Sequence, residues 1–171
     1  MILMEAIEAI MGRRSIRKYT DKKIPEETIT RLLKAAMNAP SAHNKQPWHF
    51  IVVDDKATML KILEYHQYSK MLEGASHAIV VLGDNDIQTT DFWIHDTSAA
   101  TENILIAAHA LGLGAVWLGV HPNPVLIDGT KKLFNVPANV TPLGIISLGY
   151  PEETKPPREN YNPERVHKNK W

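Results

Sequence analysis

With 171 residues, a hydrophobic content of 44% and nineteen basic side chains against nineteen acidic ones, the chain carries a formal net charge of zero. That length fits a single domain, residues 1–171, able to bury roughly 70% of its extended surface, and the neutral balance argues against a nucleic-acid partner held by counterion release. The lack of any cysteine removes disulfides, thiolate nucleophiles and thiol redox centres together. Redox chemistry in this chain would have to be carried by a bound cofactor.

The N-terminal stretch "MILMEAIEAIMGRR" has helical spacing from Ile2 to Met11, with Glu5 and Glu8 inside it and Gly12 as a stop. It reads as a helix and not as a signal peptide. Apolar runs such as Ile104 to Ala108 are far too short for a membrane span, so no membrane partner is expected and the expected compartment is the cytoplasm. In "PEETITRLLKAAMN", Pro25 to Asn38, the residues Ile29, Leu32, Leu33, Ala36 and Met37 fall on one helical face. Trp48 to Val53 is β-rich, a helix is expected from Lys56 to Tyr65, and Ala78 to Gly83 reads as a continuous apolar strand. Asp96 to Leu111 reads as a buried, alanine-rich helix, Ala115 to Val120 as a third strand, Leu126 to Asn135 as a helix and Thr141 to Tyr150 as a fourth strand. The order ααβαβαβαβ predicts a layered α+β domain around a central sheet. From Pro151 onward, "PEETKPPRENYNPERVHKNKW" carries four prolines and no periodicity. Composition suggests a disordered tail, whereas Tyr161, Val166 and Trp171 among Arg158, Arg165 and Lys168 suggest docking on another surface.

Four motifs bear on chemistry. "RRSIRKY", Arg13 to Tyr19, places three arginines after a helix end; it can offset the helix dipole or form a phosphate site, since guanidinium groups grip phosphate oxygens bidentately. "PSAHNKQPW", Pro40 to Trp48, is either an ordinary turn-rich loop or one shaped to lie against a flat ligand with polar edges. "GLGAVWLG", Gly112 to Gly119, lacks the dinucleotide fingerprint: it has Trp117 where a third glycine is needed and runs from helix to strand. Gly112 and Gly114 suit a helix cap, while Gly119 offers a bare backbone to a ligand. The eight histidines form no HExxH set, His49, His77 and His109 read as core residues, and no metal site is expected. Glu102 and Asn103 read as capping or interface residues ahead of catalytic ones.

Taken together and in order, "RRSIRKY", "PSAHNKQPW", "ENILIAAHALGLGAVWLGV" and the tail ending "RVHKNKW" resemble the FMN-dependent nitroreductase family over essentially the whole chain. The resemblance implies a mostly antiparallel sheet flanked by helices and a homodimer with exchanged tails, 151–171 docking on the partner. It further implies FMN in the subunit interface, reduced by NADH or NADPH before a small acceptor enters. Arg13 and Ser15 match residues at the FMN phosphate and ribityl chain, with Arg14 adjacent, and Arg17 matches a cation near flavin N1 and O2. Pro40, Ser41 and Asn44 match a loop supplied by the partner, and Gly119 and Val120 the backbone N–H groups facing N5 and O4. Gln67 and Lys70 match ring contacts, and Arg158 a second phosphate cation; Asn160 departs from a position often basic in relatives. The implied activity is two-electron, ping-pong reduction of nitroaromatics, quinones or another small acceptor. The rivals are a specialised relative, such as a reductive dehalogenase or a flavin-consuming enzyme, and an FMN-binding regulatory module without turnover. The short segment from Asp84 to His95 favours the generalist over a relative with a lid.

Overall fold

The computed structural model describes residues 4–156 and 158–171. Its first helix, α1, spans Ala6–Gly12, so Ile2 of the expected helix lies outside the described residues. Gly12 closes the helix as its last residue: a Cβ there would stand 2.7 Å from His109 Nε2. Helix α2, Glu26–Met37, buries Ile29, Leu32 and Ala36 of the predicted face, with Leu33 half-buried and Met37, at the helix end, exposed. Strand β1 is Trp48–Val53. Helix α3, Lys56–Ile62, starts where Asp55 accepts the Thr58 N–H at 2.8 Å, a side-chain cap that supplies one of the acceptors a helix start lacks.

Strand β2, His77–Asp84, is buried along nearly its whole length. Helix α4 runs Phe92–Ala110, β3 Gly114–Gly119, α5 Pro124–Phe134 and β4 Val140–Gly149. The four strands form one antiparallel sheet in the order β1-β2-β4-β3. Alternate residues of the central strands divide between two cores. Ile79, Val81, Ile146 and Leu148 pack with Leu32, Ala36, Ala100 and Ile104 of α2 and α4; Ala78, Val80, Leu82 and Ile145 pack with Met59 and Ile62 of α3 and with Leu126 of α5. A sheet covered on both faces needs apolar residues at every position, which is why β2 reads as an unbroken apolar run.

Two expectations are corrected. Helix α4 begins at Phe92, four residues before its expected start at Asp96, and the Asp96 carboxylate inside it is a buried tertiary acceptor, taking the Ala42 N–H at 2.8 Å. Gly114 is not the cap expected. Gly112 alone is left-handed (φ 74°), and Gly114 opens β3 where a Cβ would meet Ile16 Cγ2 at 2.6 Å.

One irregularity shapes the end of β3. Val81 pairs with Gly144 and Leu82 with Pro142, so Leu143 is bulged out of the ladder, a device that re-aims backbone groups. Its carbonyl accepts the N–H groups of both Val120 (3.1 Å) and His121 (3.0 Å).

Candidate cofactor site at the open edge of strand β3

Strand β3 is an edge strand, and its register fixes what its open side displays. The Val120 N–H reaches the Leu143 carbonyl, so 120 and 143 form a hydrogen-bonded pair. Gly119 and Gly144, next in register, are then a non-hydrogen-bonded pair whose N–H and C=O groups point away from β4. Ala115, Trp117 and Gly119 share that outward aspect, and Ala115 confirms it by accepting the Ile16 N–H at 3.0 Å in a parallel bridge. The arginine segment therefore lies against the start of the edge that Gly119 ends, about 13 Å further along at strand rise.

The segment is held there from several sides. The buried Tyr19 hydroxyl donates to the Ile16 carbonyl at 2.7 Å, and burial pushes its pKa up to about 12. Residues 151–156, the start of the tail, run beside residues 14–20 of their own chain. Tyr19 bridges Pro151, the Glu152 N–H reaches the Lys18 carbonyl at 3.0 Å, and Glu153 Oε1 accepts the N–H groups of Arg17 (2.6 Å) and Lys18 (3.3 Å). Lys155 Nζ donates to the Ser15 carbonyl and Arg14 Nε to the Pro156 carbonyl, the latter at 3.0 Å.

A hollow of about 280 Å³ results, lined by Arg14, Ser15, Arg17, Lys155, Pro156 and Arg158. Arg14 spends Nη1 on the carbonyls of Met11 (2.9 Å) and Arg13 (2.7 Å), which closes the end of α1. Its buried Nη2 has no hydrogen-bond partner among the described residues. Arg14, Arg17, Lys155 and Arg158 bring four cationic side chains to this hollow, a lining that suits a polyoxygen anion such as a phosphate. Arg17 and Lys70 also line an adjoining hollow of about 510 Å³, with Tyr19, Met71 and Gly74, and Gln67 is exposed on the turn just before Lys70.

The remaining predicted residues stand elsewhere. Arg13 is drawn to Glu102 on α4 (Nε to Oε1 3.2 Å) and is absent from the hollow's lining; Glu102 is thus an ion-pair partner, and Asn103 ties α4 to α2 through the Ala35 carbonyl at 2.9 Å. The expected free N–H at Val120 is corrected: it is donated to Leu143, and the side chain is buried. Gly119, by contrast, is exposed, with nothing within 4 Å of the place a Cβ would take. Pro40, Ser41 and Asn44 belong to an exposed loop over the N-terminal half of α4. His43, Asn44 and Gln46 have φ of 54°, 53° and 49°, a left-handed run that costs free energy unless its surroundings impose it. The Asp96 carboxylate on Ala42 N–H, Ser41 Oγ on Gln46 N–H (3.0 Å) and Asn44 Oδ1 on Gln46 Nε2 (3.0 Å) impose it. His77 is buried as expected, whereas His49 is exposed beside Asp84 at 3.4 Å.

Sequence reasoning missed Lys155, Glu153 and Asp96. Lys155 and Glu153 stand in a proline-rich run whose order comes from pairing with residues 14–20, more than 130 positions away, and Asp96 looks like a helix cap. Glu153 has a testable signature. The Arg17 N–H bond, ahead of the nearby Lys155, holds its carboxyl below the ordinary 4.5. A lowered carboxyl stabilises the folded form fully above the unfolded value and loses that contribution as pH falls through the folded one. The protection of the amides from Glu152 to Lys155, taken relative to the intrinsic exchange rate at each pH, should therefore be high at pH 6 and fall as pH drops below about 4.5, while Glu153→Gln removes that dependence; equal protection profiles would refute the assignment.

The model of the Nitroreductase family matches residues 10–67 and 64–150. This chain belongs to that family. A protein provisionally named NADH dehydrogenase/NAD(P)H nitroreductase, from Methanothermobacter thermautotrophicus, is 47% identical over 169 residues, covering 98% of this chain and 88% of its own length. Among solved structures, an FMN-dependent nitroreductase from Clostridium difficile R20291 superposes with a TM-score of 0.90 at 33% identity, covering 96% of this chain and 99% of that one. A provisionally named nitroreductase from Desulfovibrio desulfuricans, solved in complex with FMN, gives 0.85 at 30% identity and covers 99% of both chains. The nitroreductase fold inferred from the sequence motifs is thus the fold observed here.

Proposed function

We propose that this nitroreductase-family chain is an FMN-containing oxidoreductase that takes electrons from NADH or NADPH and passes them pairwise, by a ping-pong mechanism, to a nitroaromatic, a quinone or another small acceptor. The carrying observation is the shared edge of β3: a hollow lined by four cationic side chains at one end, and an exposed, outward-facing Gly119 at the other. The relatives named for NAD(P)H and the FMN-bound neighbour support the reading.

When bound, FMN supplies the hydride chemistry that no side chain here can perform. Arg14, Ser15, Lys155 and Arg158 would hold its phosphate, and Glu153 and Tyr19 keep the segment carrying those groups in place. Arg17 and Lys70, on the adjoining hollow, would set fixed positive charge beside the ring edge where electron density accumulates, an interaction strongest after reduction. Gly119 would turn its N–H toward the ring without a side chain in the way. The rigid loop of Pro40, Ser41 and Asn44 would close the site of the other subunit in a homodimer. The tail beyond Arg158 fits a partner surface, since Tyr161, Val166 and Trp171 are 70%, 62% and 102% exposed on their own chain.

Purified protein should be yellow and should bleach under anaerobic addition of NADH or NADPH. Colourless protein that takes up no FMN on reconstitution would overturn the reading.

A further inference from the structure

His66 is 3% exposed and stands on the turn that leads to Gln67 and Lys70. Its Nε2 lies 3.0 Å from the carbonyl oxygen of Gly119. A carbonyl only accepts, so Nε2 must carry the proton. The buried Nδ1 has no partner among the described residues. The peptide joining Gly119 to Val120 is consequently gripped at both ends, its C=O by His66 and its N–H by the bulged Leu143 carbonyl. Neither grip comes from the regular ladder. Without them, the last residue of an edge strand, a glycine with no packed side chain, would be free to rotate.

We propose that His66 is a positioning residue: by donating Nε2–H to the Gly119 carbonyl it fixes the end of β3 so that the Gly119 N–H stays aimed along the open edge toward the cofactor. The cofactor part of this inference rests on the functional reading above; the grip on the peptide does not. His66 is not among the residues lining the arginine hollow, and its imidazole reaches the site through the carbonyl of Gly119.

The test pairs two variants with a direct readout. His66→Gln keeps an N–H near the position of Nε2, and His66→Leu removes it at similar bulk. In the wild-type protein, ¹⁵N-histidine spectra should show His66 as the Nε2–H tautomer. In His66→Leu, amide exchange at Val120 should rise, with protection across β2 and β4 unchanged, and FMN affinity should fall about threefold to tenfold, the scale of one hydrogen bond. His66→Gln should recover both. An Nδ1–H tautomer, unchanged Val120 exchange in His66→Leu, or equal losses in both variants would overturn the proposal. Should the wild-type protein bind no FMN, the functional reading fails, while the tautomer and the Val120 exchange still decide the role of His66.

Discussion

Replacing Arg14 with Glu should give folded protein that purifies without FMN, its affinity reduced about a hundredfold or more by the loss of charge-assisted bonds and the added repulsion. Arg14 is the sharpest target because its Nη2 is buried and unpaired beside the hollow, while Nη1 and Nε are already committed to Met11, Arg13 and Pro156. Those commitments mean the variant also loosens the end of α1, by about 1 kcal/mol for lost carbonyl partners. Arg158→Glu separates the two effects. It makes the same charge change in the same hollow from an exposed position, so it should weaken FMN binding with unfolding unchanged. Equilibrium titration of the stripped proteins with FMN, beside urea unfolding, measures both. Wild-type affinity in Arg14→Glu would remove the phosphate from this hollow.

The second large effect is a restoration. One chain carrying Arg14→Glu and another carrying Ser41→Trp should each be inactive, yet refolding them together should return about a quarter of wild-type FMN and activity. Half of the dimers are mixed, and a two-fold dimer sharing its sites puts both defects in one site and none in the other. The loop is suited to this service because its left-handed run is locked by Asp96 and by its own side chains before any partner arrives; a preorganised loop loses little entropy on contact. If each chain built its own site, every site would keep a defect and mixing would restore nothing. Sedimentation of differently tagged chains shows whether mixed dimers formed.

Local signals carried most of the fold. The i, i+3, i+4 apolar positions of α2 and the unbroken apolar run of β2 are direct imprints of burial on one face and on two, and β1 has the bounds its β-rich run suggests. The errors share one cause, a residue type serving a distant partner while imitating a local role. Asp96 has the look of a helix cap because a carboxylate satisfies backbone N–H groups in both settings, here that of Ala42. Gly114 sits where a cap glycine would, but answers to the bulk of Ile16. Of three clustered arginines, only geometry shows that Arg13 pairs with Glu102 on α4 while Arg14 and Arg17 line the hollow. His66 carries no signal at all in the sequence, since its partner is a carbonyl, a group every residue has.

The hollow's two walls, residues 14–17 and 155–158, have a consequence for synthesis. The contacts that join them span 140 to 142 positions, and the sheet that sets them side by side lies between. As translation proceeds from the N-terminus, the early arginines emerge long before the lysine and arginine that face them. Contacts of such separation form late, once loop closure has been offset by the rest of the core. If FMN binds in this hollow as proposed, its site is complete only once all four strands have been made and paired, so the supply of FMN would not hasten the steps that come before.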